Sequence, residues 1–128
     1  MNEASPKALH PIYNPEVDVS IPESVAALVD TTVSQMGRLD VMFNNAGTLR
    51  PGTVVELDVD DWDLVMGVNV RSVYLGGKYA IPVMLDSGGG SIINTSSIGG
   101  IKSSSVCTPG FMVKSKVFQM RFFGISLV

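Results

Sequence analysis

One short stretch constrains this chain most. The apolar run Leu39-Asp40-Val41-Met42-Phe43, led in by Gly37-Arg38, runs directly into Asn44-Asn45-Ala46-Gly47. A compact run containing Val and Phe reads as a buried strand of a parallel sheet. A small, Gly-ending turn straight after such a strand lies at the carboxyl edge, where open α/β sheets receive their ligands. Asn and Gly tolerate unusual backbone angles there and let a flat molecule approach the main chain. The tetrapeptide by itself is also compatible with an ordinary turn, so its surroundings decide.

Before the strand, Ser20-Ile21-Pro22-Glu23 has the form of a capping box with Pro near the first helical position. The helix it predicts carries Val25, Leu28, Val29, Val33 and Met36 at helical spacing and ends at Gly37. Residues 1–16, with Pro6, Pro11 and Pro15, read as an irregular leader, and 17–128 as one domain. After the turn, residues 48–57 form a loop marked by Pro51 and Gly52. Asp58 or Asp60 is placed to cap a long helix running to about Leu85, which Pro82 is expected to kink or end. Gly88-Gly89-Gly90 then turns into a strand Ser91–Thr95. A Ser- and Gly-rich stretch follows to Gly110, and a last helix is expected from about Phe111.

Composition narrows the function classes. Charged residues are 16% and apolar residues 45% of 128, with a mean hydropathy of +0.31. That is apolar for a chain this small, whose surface is large relative to its core. A net charge of −3 argues against a nucleic-acid or anionic-membrane surface. No apolar run approaches the ~18 residues of a membrane span. The single Cys107 rules out an internal disulfide framework and suits a reducing compartment, so the cytoplasm is expected. His10 has no partner at ligand spacing, and no metal site or nucleophilic triad is indicated.

Several landmarks stand in register with the turn. They are Asp18-Val19-Ser20 upstream, Val68-Asn69-Val70 on the long helix, and Gly90-Ser91-Ile92-Ile93-Asn94-Thr95-Ser96-Ser97 on the next strand. With the turn, this set resembles the short-chain dehydrogenase/reductase family from about Asp18 to about Lys114. The resemblance implies an α/β fold, part of a Rossmann-like doubly wound parallel sheet without its N-terminal Gly-rich βαβ unit and its C-terminal strands. In that fold the strand at 39–43 would pair only with 91–95, giving a weak two-stranded sheet.

The resemblance also implies an activity, hydride transfer between NAD or NADP and a small secondary alcohol or ketone. By that resemblance Asp18 and Val19 would meet the adenine, and Asn45, Ala46 and Gly47 the adenosine ribose. Asn69 would hold a local helix distortion and a water leading toward the Lys. Ser97 would bind the substrate oxygen, and Lys114 would grip the nicotinamide ribose and lower the pKa of a catalytic Tyr. The bland readings are an ordinary loop acid for Asp18 and an inert Ser-rich turn for Ser97, against which spacing favours the family roles, and a solvated surface charge for Lys114, which is at least as compatible with the sequence. Helices 60–85 and 111–128 would pack against other subunits in homo- or hetero-oligomers.

Two parts of the family pattern differ. Residues 1–17 contain no Gly, so nothing there matches the phosphate loop. The family Tyr falls at Gly110, or at Met112 if the register shifts to Lys116, and no Tyr follows Tyr79. Cys107 has a thiol that could transfer protons but a much shorter reach than a phenol. The chain is therefore expected to be an inactive or impaired oxidoreductase. The rival readings are a non-catalytic module pairing with a full-length relative, and a truncated product with no independent role.

Overall fold

The computed structural model describes residues 15–96 and 119–123. Helix α1 spans Pro22–Met36 and buries Val25 and Val29. Gly37 ends it in the left-handed region at φ 82°, its N–H bonding to the Val33 carbonyl. Strand β1 (Val41–Asn44) follows, then α2 (Val59–Met66), a π-helical turn (Gly67–Arg71), α3 (Ser72–Asp86) and β2 (Gly89–Asn94). Strand β3 (Gln119–Phe123) completes a sheet of order β1-β2-β3.

Strands β1 and β2 are parallel, with Val41 opposite Ser91 and Asn44 opposite Asn94. Helix α3 crosses between them and packs on one face of the sheet. There Ala80, Met84 and Ile92 form a buried cluster, joined by Leu39, Met42 and Ile81. Helix α1 lies against α3. Gly90 makes room for this core, because a Cβ there would sit 2.6 Å from the Met84 sulfur. On the opposite face Val41 and Phe43 stay 52% and 58% exposed.

Two expectations need correction. The Ser20 capping box does not form: Ile21 occupies the N-cap without a side-chain bond, and Ser20 Oγ donates instead to Asp18 Oδ1 at 2.7 Å. Asp18 lies two residues away and is charged, so it outcompetes the helix N–H groups for that hydroxyl. The long helix is interrupted by the π turn at Asn69, where the resemblance implied a local distortion. Pro82 lies inside α3, which runs to Asp86, close to the end expected near Leu85. Finally, the sheet has three strands rather than two. The region 111–128 reads as helical, yet Gln119–Phe123 pairs antiparallel with β2, Gly89 opposite Phe123 and Ile93 opposite Gln119. The free edge of β2 offers backbone partners that satisfy this segment better than an isolated short helix would.

Asp58 is the N-cap of α2, its carboxylate accepting from the Asp60 N–H. No helix among the described residues is long and apolar enough to cross a membrane.

Candidate functional site

The site grows from the carboxyl ends of β1 and β2. Asn44 is buried, and its Nδ2 donates to Asn94 Oδ1 at 2.8 Å across the parallel pair. One residue further, Thr95 N donates to the Asn44 carbonyl at 3.1 Å. Thr95 Oγ1 donates to Asn45 Oδ1 at 2.9 Å. The two strands are thus stitched side chain to side chain where their backbone ladder ends. Asn45, Ala46 and Gly47 leave this seam exposed at the edge.

Asn69 fixes the far end of that turn. It is 4% exposed and sits inside the π turn. Its Oδ1 accepts from Thr48 N at 2.8 Å, and its Nδ2 donates to the Thr48 carbonyl at 2.9 Å. The pair of bonds imitates a strand partner and holds the residue after Gly47 in place. The π turn that carries Asn69 is itself supported by Ser72. Its N–H bonds back to the Gly67 carbonyl and its Oγ to the Val68 carbonyl, so Val68 keeps a donor despite the widened turn.

Asp18 lies beside the same turn. Its Oδ1 accepts from Ser20 N at 2.9 Å and from Ser20 Oγ, and these bonds hold its carboxyl below the ordinary carboxylate value. The segment reaches the π turn through Ser20, since a Cβ on Gly67 would stand 3.5 Å from Ser20 Cβ. Asp18 is exposed and Val19 half-buried. Asp18, Asn69 and the 45–47 turn are therefore linked through Ser20, the π turn and Thr48. Ser97, Lys114 and Gly110 lie outside the described residues.

Sequence reasoning missed Asn44, Asn94, Thr95, Thr48 and Gly76. Gly76 lies on α3 against β1, where a Cβ would overlap Asn44 Oδ1 and come within 2.9 Å of Met42 Cε. A polar residue ending each of two apolar runs, Asn44 and Asn94, was the one available signal.

Similarity to known proteins agrees with this geometry. A family model described as enoyl-(acyl carrier protein) reductase matches residues 3–120. A 3-alpha-(or 20-beta)-hydroxysteroid dehydrogenase of Mycobacterium tuberculosis is 40% identical over 91 residues, 71% of this chain and 35% of its own length. The chain belongs to the short-chain dehydrogenase/reductase family. Tropinone reductase-like 2 of Erythroxylum coca is 46% identical over 85 residues, 63% of this chain and 31% of its own. A crystal structure of a short-chain type dehydrogenase/reductase from Mycobacterium marinum superposes with a TM-score of 0.72 at 26% identity, covering 77% of this chain and 41% of that one. The chain spans about a third of the length of the curated relatives it matches. The Rossmann-type assignment follows from these structural relatives.

Proposed function

We propose that this chain carries the cofactor-facing carboxyl edge of an NAD- or NADP-dependent oxidoreductase acting on a secondary alcohol or ketone, with turnover impaired by glycine at position 110. The supporting observation is the Asn69 clamp. A buried amide held in a π turn closes two bonds on Thr48 and so presets Asn45–Gly47 at the open edge. Preorganised backbone of this kind is what a bound dinucleotide requires.

The residues present fit the adenosine half of such a cofactor. Asp18 offers an exposed carboxylate that stays ionised at neutral pH and can accept from an exocyclic amine. Ala46 and Gly47 are exposed, so the turn after β1 stays low. When bound, NAD or NADP supplies the hydride acceptor or donor. In the family pattern Ser97 would orient the substrate oxygen, and the positive charge of Lys114 would favour ionisation of a neighbouring phenol. Position 110 offers no phenol, so proton transfer to or from that oxygen lacks its side-chain partner. Loss of such an acid/base costs roughly 10²–10⁴-fold in rate.

The test is a thermal melt of the chain with each cofactor. Ligand at 100 times its Kd should stabilise the fold by about 2.7 kcal/mol. Gly110→Tyr should then raise turnover by roughly 10²–10⁴-fold. A melt unmoved by NAD(H) and NADP(H) alike refutes cofactor binding, and unchanged turnover in the Tyr variant refutes the role of position 110.

A further inference from the structure

Helix α2 is held in place by little besides the π turn. Among the described residues its backbone comes close to no other helix or strand than the π turn it runs into. Val65 is its one buried side chain, at 1% exposure. Its remaining tie is the Arg50–Asp61 ion pair at 3.0 Å, whose side chains are 42% and 44% exposed. Pairs so open to water contribute little. Helix α3, in contrast, is seated on the sheet and against α1.

The π turn depends on side-chain bonds. Its i→i+5 bond, from Ser72 N–H to the Gly67 carbonyl, is an uncommon way to wind a helix. From inside that turn Asn69 commits both ends of its amide to Thr48. Without that clamp the turn closes to i→i+4 bonding, and its surplus residue enters the regular helix. Because α3 is seated, the residues before the turn then advance by one helical position. That is about 1.5 Å along the axis and about 100° around it. Met66, now half-buried, arrives where Val65 sits. One apolar side chain replaces another, and Met adapts to seats of uneven shape. The loop from Thr48 to Leu57, with Gly52 at φ 154°, takes up the advance.

We propose that α2 has two seats one residue apart, and that the Asn69–Thr48 clamp selects the one in which Val65 is buried. Thr48 directly follows Asn45–Gly47, so displacement of that turn is relayed to α2. The relay turns the exposed Asp60, Trp62 and Asp63 to a new direction. This goes beyond the oxidoreductase reading, in which the clamp only presets the turn, and it needs no cofactor.

The experiment finds the buried position of α2 by paired substitutions in the full chain. Urea midpoints are measured, with circular dichroism recording helix content. In the wild-type background Val65→Ser should lower the midpoint clearly, and Met66→Ser much less. In the Asn69→Ala background that order should reverse while helix content is kept. Asn69→Asp can still accept from Thr48 N–H but cannot donate to its carbonyl, and it should narrow the gap between the two. Deleting Asn69 removes the surplus residue and leaves α2 in its present seat, so Val65 should remain the sensitive position there. The proposal is overturned if Val65 keeps its full lead in the Asn69→Ala and Asn69→Asp chains, or if the deletion also reverses the order. Loss of cooperative unfolding in both substituted chains overturns it too, because the clamp is then a requirement of the fold and selects no seat.

Discussion

At the scale of single residues, the Asp18–Ser20 pair makes a direct prediction. Two bonds from Ser20, the hydroxyl and then the backbone N–H, stabilise the Asp18 carboxylate and lower its pKa. A depressed pKa means the folded form is favoured while Asp18 is ionised. That contribution is present above the unfolded value and is lost as pH falls through the folded one. Ser20→Ala removes the larger of the two bonds, so the titration midpoint of Asp18, followed by carboxyl NMR, should rise toward the ordinary carboxylate value. An unmoved midpoint would show that the hydroxyl does not hold the charge. Asp18 and Asn69 could be singled out from sequence because each stands in register with the turn in the family the sequence resembles. Asn44 and Asn94 could not be paired that way. Their amides meet only because β1 and β2 adopt one register, and register is a property of two strands fifty residues apart. Ser20 was legible as a cap by spacing, but spacing does not reveal that a nearer carboxylate takes the hydroxyl.

At the scale of elements, the helix from Asp58 to Asp86 was legible in its limits and its cap, and its distortion at Asn69 only through the family resemblance, not through its periodicity. A 3.6-residue period sees apolar spacing, whereas the π turn is set by Asn69 reaching Thr48 and Ser72 reaching Val68. The seat of α3 on β1 yields a prediction from two adjacent glycines. A Cβ at Gly76 would overlap Asn44 Oδ1, so accommodating it means breaking the Asn44–Asn94 bond or lifting the helix. Gly76→Ala gains about 1 kcal/mol of helix propensity, against overpacking of about 1–3 kcal/mol plus the strained amide pair. The expected net is a loss of about 1–2 kcal/mol. At Gly77 the added Cβ meets only Ile81 Cδ1 at 3.9 Å, ordinary contact. Gly77→Ala should therefore gain about 0.5–1 kcal/mol. Urea midpoints for the two variants should move in opposite directions, and movement in the same direction would contradict the close approach of α3 to β1.

At the scale of the molecule, the two faces of the sheet are unequal. Helices α1 and α3 lie on one side, and Val41 and Phe43 stand exposed on the other, on a strand whose outer edge has no partner among the described residues. Parallel strands are ordinarily covered on both faces. Their apolar run signals burial, which is why 39–43 reads as an interior strand from sequence alone. Among the described residues nothing covers the second face, and the local pattern of 39–43 does not say what would. The third strand does not relieve this, because β3 adds to the β2 side and leaves β1 at the edge. Nor was β3 legible, since Gln119–Phe123 gains its strand form from a neighbour thirty residues earlier. An uncharged four-residue edge beside exposed Val and Phe is a template for strand addition. A lysine there discourages pairing with other chains, while its exposed position should change stability by no more than about 0.5 kcal/mol. Val41→Lys should therefore suppress light scattering on heating without moving the melting midpoint appreciably. If Val41→Lys leaves heat-induced scattering unchanged, the exposed β1 edge is not the template for self-association.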